Sequence, residues 1–386
     1  MRNSQNPDKI LHIITVAFSI SYFFGRQFSY LITKSGNEYH LGCSPSDNFF
    51  ELATDLNYIP FSIPITREIT PVKDILVIIA IYKYIRKNKI TKVVGHTPKG
   101  GMLAMIASFL ANVPNRIYFR HGLIYETSFG PKRFLLKNIE KVSGMLATDV
   151  VCVSKSIQKI SERDKLNSAK KNIVLGLGTC NGVDTEEKYN PTSYDISDIK
   201  TLAEKLGISE GDFVVGFVGR LVKDKGVNEL ISAWDILKER FENIKLLLVG
   251  PLESRDPISK YAEERVLNDP SVIFTDFVLD ASAYYSLMDI FVLPSYREGF
   301  PTVVLEASSM KIPVLVTRAT GCEEAISEGV TGLFINHDPE DIASKIQFYL
   351  CNPNVARKHG ENGRKFVCEN FDQKKIWDLL NNDLEI

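Results

Sequence analysis

The chain has 386 residues, of which 44% are hydrophobic and 24% charged, and its 46 Lys and Arg residues nearly balance 47 Asp and Glu residues. This length and composition predict a soluble globular protein of two domains and argue against a low-complexity chain. None of the six cysteines forms a Cys-x-x-Cys pair. We therefore predict free thiols in a reducing compartment, with neither disulfides nor a zinc site.

The first apolar stretch, ILHIITVAFSISYFFG (10–25), has the general form of a signal-peptide core. It contains His12 and several Ser and Thr residues, and no small-residue cleavage site follows it. It is also too short and too polar for a membrane span. We therefore predict a core strand over 10–16, followed by a loop to Gly25.

Continuous apolar runs alternate with helical patterns along the whole chain. Such runs are typical of parallel strands covered on both faces, and segments such as 71–88 and 227–241 have helical length and period. The alternation predicts an α/β fold with two doubly wound, Rossmann-like parallel-sheet domains facing a cleft that would hold the ligand. The predicted strands are 11–16, 92–96, 116–122, 149–154, 172–176, 213–219, 245–250, 272–277, 290–295 and 313–317.

The polar segment GVDTEEKYNPTSYDISD (182–198) separates two series of strands and helices. We therefore predict a first domain over 1–190 and a second over 191–365. The remainder, 366–386, has an amphipathic helical pattern and could cross back to the first domain.

Charge is distributed unevenly between the two halves. Residues 1–190 contain 25 Lys and Arg against 15 Asp and Glu, a net charge of +10, and the remainder carries −11. The basic residues cluster at 82–92, 131–141 and 154–165, although each cluster alone is compatible with a solvated helix face. No nucleic-acid motif is present, and an apolar FLL lies between the basic residues of 131–141. The pattern therefore favours an anionic membrane surface over nucleic acid as a partner.

The stretch FVGRLVKDKG (217–226) places two cations between a predicted strand and a helix. The strand ends at Gly219, Arg220 and Lys225 follow in a loop, and a helix begins after Gly226. A strand end, two cations and a helix N-terminus can bind a diphosphate, and a solvated turn is the alternative. The chain has no Gly-x-Gly-x-x-Gly, no P-loop and no Asp-x-Asp at a strand end, so we expect neither a cofactor nor a metal.

The stretch EGFPTVVLE (298–306) carries two carboxylates. If Pro301 opens a helix, Glu298 lies just before it and Glu306 about two turns into it. At ~1.5 Å rise per residue the two acids are roughly 10 to 12 Å apart along the axis. Acid pairs that hydrolyse glycosides are only about 5 to 9 Å apart. The pair suits a ligand with two separate polyol ends, unless it is one capping and one solvated acid.

Two residues of the first domain are further candidates. His121 directly follows a predicted strand in FRHG (119–122), where its ring could donate to a ligand hydroxyl or have a structural role. Gly25 lies in the first strand-to-helix loop, where the missing side chain would let a ligand approach the backbone.

Three stretches together resemble the retaining glycosyltransferases of family 4, which have the GT-B fold. They are GRLVKDKG (219–226), VLPSYREGFPTVVLEA (292–307) and GCEEAISEGVTGL (321–333). The two acids match the Glu-x7-Glu signature of that family. The similarity covers about 210–335 and is thinner in the first domain. There, HTPKGGMLAMIASFLANVPNRIYFRHG (96–122) is similar to bacterial members that build capsule, exopolysaccharide or lipid-linked glycans.

The resemblance implies a role for each matching residue. Glu306 would bind the ribose of a nucleotide donor, and Glu298, with backbone amides that follow it, would bind the donor sugar. His121 would contact that sugar near the reacting carbon. Many members have a glycine pair in the first loop, where this chain has YFFGR (22–26). The implied catalytic residues are His121, Arg220, Lys225 and Glu298, and the implied donor-binding residues are Gly25, Gly219, Arg220, Lys225, Glu298, Gly299, Phe300, Pro301 and Glu306.

The implied activity is transfer of a hexose or N-acetylhexosamine from a nucleotide-diphosphate sugar to a saccharide acceptor, with retention. UDP is the favoured donor nucleotide and GDP-mannose the second choice. The acceptor would be lipid-linked through a polyprenyl diphosphate and bound by the first domain, and the donor would be bound by the second. A cytoplasmic location with peripheral contact at the inner face of the membrane is expected. A sugar-nucleotide isomerase of the same fold and a non-catalytic subunit of a transferase pair are the alternatives.

Overall fold

The computed structural model describes residues 7–17, 20–46, 49–68 and 70–386, and the chain divides into two compact units. The first unit contains the chain up to Asn181 together with Lys374–Ile386, and the second unit is Gly182–Gln373. The boundary therefore lies before the polar segment and not at the predicted 190. Residues 366–373 also group with the second unit, because the helix that ends there packs against that unit.

The first unit contains a seven-stranded parallel sheet in the order β3-β2-β1-β4-β5-β6-β7. The strands are β1 Lys9–Ile13, β2 Glu38–Cys43, β3 Ile59–Ser62, β4 Lys92–Gly95, β5 Asn115–Arg120, β6 Asp149–Cys152 and β7 Asn172–Ile173. Buried side chains alternate between the faces of β1, with Ile10 in one apolar cluster and Leu11 in the other. Both faces are thus covered, as the continuous apolar runs predict.

The second unit contains a six-stranded parallel sheet in the order β10-β9-β8-β11-β12-β13. Its strands are β8 Phe213–Val218, β9 Ile244–Val249, β10 Val272–Phe274, β11 Ile290–Leu293, β12 Val314–Thr317 and β13 Gly332–Ile335. Each sheet reverses its strand order once, between β1 and β4 in the first unit and between β8 and β11 in the second. Ligands of open parallel sheets bind outside the carboxyl ends of the strands at such a switch point.

Helices connect the strands in both units. They are α1 Ile20–Phe23, α2 Gln27–Ser35, α3 Phe49–Leu56, α4 Pro71–Asn88, α5 Pro98–Leu110, α6 Gly130–Leu146, α7 Lys155–Arg163, α8 Ile196–Lys205, α9 Val227–Lys238, α10 Lys260–Asn268, α11 Ser282–Tyr285, α12 Thr302–Ser309, α13 Pro339–Cys351, α14 Pro353–Asn370 and α15 Gln373–Asp383.

Two predicted elements differ from the structure. The first strand ends at Ile13 instead of residue 16, and the predicted loop to Gly25 contains α1; residues 18 and 19 of that loop lie outside the described residues. The predicted C-terminal helix is two helices, α14 and α15. Asp372 lies between the two helices, and its carboxylate accepts a hydrogen bond from the Thr185 hydroxyl at 2.6 Å.

All six cysteines are free thiols, as the sequence predicts. Within the described ranges, no helix combines the length and the hydropathy needed to cross a membrane.

Candidate active site

The candidate site of the second unit begins where β8 ends. Gly219 follows β8 with a φ of 149°, and Arg220 is the next residue. A short 3-10 turn, Lys223–Lys225, leads to Gly226 and directly into α9. The structure thus places both predicted cations in one loop at the β8–β11 switch point.

Gly226 holds this loop against the chain that leaves β11. Its φ of 72° is in the left-handed region, and a Cβ atom there would collide with the carbonyl oxygen of Pro294. Glycine satisfies both conditions at once. Lys225 is consequently fixed beside the turn that carries Glu298.

Lys225 and Glu298 form an ion pair through Oε1 of the carboxylate. The hydroxyl of Ser295 donates to the same Oε1 atom at 2.7 Å. Both protein contacts therefore use one oxygen, and the other oxygen, Oε2, can accept a ligand hydroxyl without breaking either of them. The ammonium group of Lys225 is also oriented before any ligand arrives.

Arg220 is more exposed and is paired differently. Its side chain is 55% exposed, and its guanidinium contacts the carboxylate of Glu253. An exposed ion pair contributes about 1 kcal/mol or less. An incoming anion could therefore replace Glu253 as the partner of Arg220 with little loss of free energy.

A neighbouring loop supports the turn before α12. The amide of Glu298 donates to the carbonyl of Thr320 at 2.9 Å. Gly321, with a φ of 80°, approaches the carbonyl oxygen of Gly299 so closely that a Cβ atom would collide with it. Thr320 and Gly321 thus support the backbone of the turn, and sequence reasoning did not assign either residue to the site.

Phe300 and Pro301 shape the start of α12. The ring of Phe300 lies 5.3 Å from that of Phe371, so its side chain packs and its backbone amide remains the group suited to a ligand. Pro301 precedes α12, which begins at Thr302. Glu298 therefore lies just before the helix and Glu306 within it, as the sequence predicts.

Glu306 is held by hydroxyl groups on one side of α12. The hydroxyl of Tyr285, at the end of α11, donates to its Oε2 atom at 2.7 Å. Burial raises the pKa of the Glu306 carboxyl, while Tyr285 and the charge of Lys188 oppose that increase. A partly desolvated carboxylate of this kind is suited to accepting hydroxyl groups from a ligand.

The candidate residue His121 of the first unit lies one strand away from the β1–β4 switch point. His121 directly follows β5, and its Nε2 atom lies 3.0 Å from Nδ1 of His96, the residue that follows β4. His96 in turn contacts His12 of β1, with its Nε2 3.0 Å from Nδ1 of His12. The three rings form a series, referred to below as the histidine stack, with centroids 5.3 and 5.2 Å apart; the first pair is nearly parallel and the second is tilted by 30°.

Phenylalanines surround this stack and connect it to Gly25. Phe23 lies 4.5 Å from the ring of His121, and Phe24 packs edge-on against His96 at 5.1 Å. Gly25 follows them with a φ of 48°, between α1 and α2. The structure therefore places Gly25 in the same segment that packs on His121.

The histidines of the stack are neutral at ordinary pH. Burial lowers the pKa of His12 to about 3 and that of His121 to about 3. Burial also places the pKa of His96 well below its usual range, and the two neighbouring histidines act in the same direction. Throughout the described part of the chain, no group of three or more His, Cys, Asp or Glu side chains is arranged to hold a metal ion.

Sequence reasoning missed His12, His96, Ser295 and Tyr285 as members of these sites. His96 could have been found, because it follows its strand as His121 does. His12 lies inside a strand, and Tyr285 lies outside the recognised motifs. Ser295 lies within VLPSYREGFPTVVLEA (292–307), three residues before Glu298, so its position could also have signalled the contact.

Comparison with known proteins agrees with the two-unit architecture. Residues 198–366 match the family model described as glycosyl transferases group 1, and residues 9–154 match glycosyl transferase 4-like. The chain is 33% identical over 373 residues to the capsular polysaccharide biosynthesis glycosyltransferase CapM of Staphylococcus aureus, covering 96% of this chain and 95% of that protein.

A second relative and a solved structure extend the comparison. The chain is 25% identical over 387 residues to the UDP-Gal:alpha-D-GlcNAc-diphosphoundecaprenol alpha-1,3-galactosyltransferase of Escherichia coli, covering 98% of this chain and 97% of that protein. HepE of Anabaena, solved in complex with UDP-glucose, matches with a TM-score of 0.81 at 20% identity over 98% of this chain and 99% of that one. The predicted fold class, two Rossmann-like parallel-sheet domains of the GT-B type, is confirmed.

Proposed function

The chain belongs to the group 1 glycosyl transferases, and from this premise we propose that it transfers a hexose or N-acetylhexosamine from a nucleotide-diphosphate sugar to a saccharide acceptor. The observation that carries the proposal is the Lys225–Glu298 pair at the β8–β11 switch point. It combines a cation for a diphosphate with a carboxylate oxygen for a sugar hydroxyl. The diphosphate and the sugar hydroxyls are adjacent in every nucleotide-diphosphate sugar.

The cations of the loop act on the leaving group in this proposal. The bond between the sugar and the diphosphate breaks as negative charge grows on the diphosphate, and Arg220 and Lys225 stabilise that charge. Because Lys225 is already oriented by Glu298, it needs little rearrangement as the transition state forms. No metal is assigned to this step.

The remaining contacts of the donor follow from the same site. Glu306 accepts the ribose hydroxyls, and the amides of Gly299 and Phe300 donate to the sugar. Gly219 and Gly25 let the ligand approach the backbone closely. The family resemblance favours retention of the anomeric configuration, with an oxygen of the departing diphosphate taking the acceptor proton. UDP is the favoured nucleotide, since the galactosyltransferase relative is named for a UDP-sugar.

We propose a lipid-linked acceptor, used in the assembly of capsule or another cell-surface polysaccharide. The support is the pair of relatives named for capsule synthesis and for a diphosphoundecaprenol acceptor. Such an acceptor requires the enzyme to work at a membrane surface.

The first unit has a surface suited to that contact. On α4, the apolar side chains of Val72 and Leu76 are 75% and 62% exposed, on a helix that also carries exposed lysines. On α6, Phe134 is 74% exposed. Both helices pack against α5. Apolar side chains among basic residues are the pattern of an interfacial helix, and each Lys or Arg near an anionic surface contributes about 1 kcal/mol.

Vesicle sedimentation tests the membrane contact. We expect binding to anionic vesicles that falls steeply with salt, and a further loss in Leu76→Ser combined with Phe134→Ser. Leu279→Ser, at an 86% exposed position of the second unit, is the matched control. Lys132 is the suitable position for charge reversal, because Arg133 donates to a backbone carbonyl and Lys137 pairs with Asp164. Equal binding to neutral and anionic vesicles, or none at all, would favour a free saccharide acceptor.

Mass spectrometry of the products from a panel of nucleotide sugars tests the transfer itself. We expect a new glycosidic product from a UDP-sugar when a polyprenyl-diphosphate saccharide is supplied. Conversion of the sugar nucleotide into an isomer without any acceptor would instead identify an isomerase. A purified protein that neither transfers nor hydrolyses any donor would be a non-catalytic subunit.

A further inference from the structure

The histidine stack of the first unit has a feature that the transfer reaction alone does not explain. His12 and His96 are 2% and 4% exposed, so neither reaches a ligand. They nevertheless form a continuous hydrogen-bonded series with His121, which is partly exposed. Two buried histidines in an aromatic environment are costly to fold unless their hydrogen bonds are satisfied.

The two hydrogen bonds of His96 must run in the same direction along the series. Its Nε2 atom faces His12 and its Nδ1 atom faces His121, so the series uses opposite sides of the middle ring. A neutral imidazole has one N–H donor and one acceptor nitrogen. The middle ring can therefore donate in one direction only, and both hydrogen bonds must run the same way along the series.

The buried end of the series selects the direction. The Nε2 atom of His12 has no hydrogen-bond partner among the described residues. If the bonds ran towards His12, that nitrogen would carry a buried hydrogen with no acceptor, which folded proteins rarely tolerate. If they run towards His121, His12 donates from Nδ1, His96 donates from Nδ1, and His121 accepts at Nε2. His121 then carries its own hydrogen on Nδ1.

We propose that His12 and His96 are positioning residues that hold His121 in the Nδ1–H tautomer, so that it donates a hydrogen bond to an oxygen of the bound substrate and cannot act as a general base. The inference rests on the proposed transfer reaction and adds a restriction to it. If Nδ1 carries a hydrogen and Nε2 is occupied by His96, no nitrogen of His121 can take a proton from the acceptor hydroxyl. That proton must go elsewhere, and the departing diphosphate is the available base.

Imidazole nitrogen resonances of the full-length protein test the tautomer directly. The chain has six histidines, and single substitutions assign their signals. We expect His121 to show a protonated Nδ1 and an unprotonated Nε2. A protonated Nε2, or a rapidly averaging pair, would overturn the proposal. This measurement needs no activity, so it remains decisive even if the protein transfers no sugar.

Kinetics of His96 variants test the consequence. His96→Phe keeps a ring in the stack but removes both hydrogen bonds, and we expect kcat to fall about 10- to 100-fold, as for other orienting partners, with the donor KM changed little. His96→Asn restores a donor near the Nδ1 position, and we expect it to recover most of the loss. Equal kcat in His96→Phe and the native protein would contradict the positioning role.

Phe119→Leu is the matched control. Phe119 stacks on both His96 and His121, at 5.0 and 5.7 Å, without taking part in the hydrogen-bonded series. We expect its kcat to stay within about threefold of the native value, well short of the loss expected for an orienting partner. If Phe119→Leu loses as much activity as His96→Phe, packing and not tautomer control is responsible, and the proposal fails.

Discussion

The two switch points of this chain occupy equivalent places in two similar sheets and yet use opposite chemistry. In the first unit the residues at the strand ends are neutral histidines, one buried and one partly exposed, that pack against phenylalanine rings. In the second unit they are charged, partly exposed and paired with carboxylates. The two sheets therefore share the same reversal of strand order, and the side chains beside it give each unit a different local chemistry.

The difference follows from how each kind of group is kept in position. A charged side chain such as Lys225 needs a counter-charge, and Glu298 provides one that also leaves an oxygen for the ligand. A neutral ring such as His121 needs a directional hydrogen bond, and a second and third ring provide it. The Lys225–Glu298 pair should therefore be sensitive to the loss of a charge, and the histidine series to the loss of a single hydrogen-bond donor.

Removal of the Lys225 charge should have the largest effect. We expect Lys225→Ala to lower kcat by about 100-fold or more, by analogy with removing one preorganised donor to a developing charge. Lys223→Ala, an exposed lysine of the same 3-10 turn, is the control and should remain close to native. Similar losses in both variants would mean that general electrostatic attraction, and not positioned charge, drives the step. Added divalent metal should not restore the activity of Lys225→Ala.

Glu306→Gln should act on donor binding. A charge-assisted hydrogen bond contributes roughly 1.5 to 3 kcal/mol, so the donor KM should rise by about 10- to 150-fold while the fold is retained. Steady-state kinetics with circular dichroism of the same sample would measure both. Unchanged donor kinetics would remove Glu306 from the site.

Gly321→Ala tests whether the charged turn depends on its neighbouring loop. The new Cβ atom would collide with the carbonyl oxygen of Gly299, in addition to backbone strain of about 1 to 3 kcal/mol. We expect a lower Tm and weaker donor binding. Gly329→Ala is the matched control, since Gly329 has a similar φ of 72° but a Cβ atom there would meet no other atom within 4 Å. It should lower Tm without changing donor binding.

His12→Phe tests the neutral site through its pH dependence. The pKa of His12 is about 3 in the folded protein and near 6.5 when unfolded. Between these two pH values the unfolded chain binds more protons than the folded protein. The free energy of unfolding therefore has its full value above pH 6.5 and decreases as the pH falls towards 3. Each such histidine lowers the free energy of unfolding by about 1.4 kcal/mol for every pH unit in that window. Denaturant unfolding at pH 6 and pH 5 should show a smaller loss in His12→Phe, and an unchanged slope would show that His12 is charged in the folded protein.

The sequence predicted ten of the strands because they are continuous apolar runs. Two of the three it missed break that pattern: β2 (Glu38–Cys43) contains Glu and His, and β3 (Ile59–Ser62) contains a proline and lies at a sheet edge. The third, β13 (Gly332–Ile335), is an apolar run of four residues that the sequence reasoning did not select. Tertiary pairing, and not local composition, makes β2 and β3 strands.

The candidate sites show the same limit. The position of Glu298 before α12 and of Arg220 after β8 follows from local order. The contact between Lys225 and Glu298 joins residues 73 positions apart, and that between His12 and His96 joins residues 84 apart. Neither spacing is periodic, so the pairs become visible only when the strands are in register.

The junction at Val183 and Asp372 has a practical consequence. The two residues form a parallel bridge, and the amide of Gln373 donates to the carbonyl of Val183 at 2.9 Å. The second unit therefore begins and ends side by side, and it is inserted into the first unit as a continuous segment. A domain with its own core and adjacent ends can fold alone and tolerates insertion and circular permutation. Residues 182–373 should thus fold when they are produced alone, whereas the first unit would need its two pieces rejoined by a short linker.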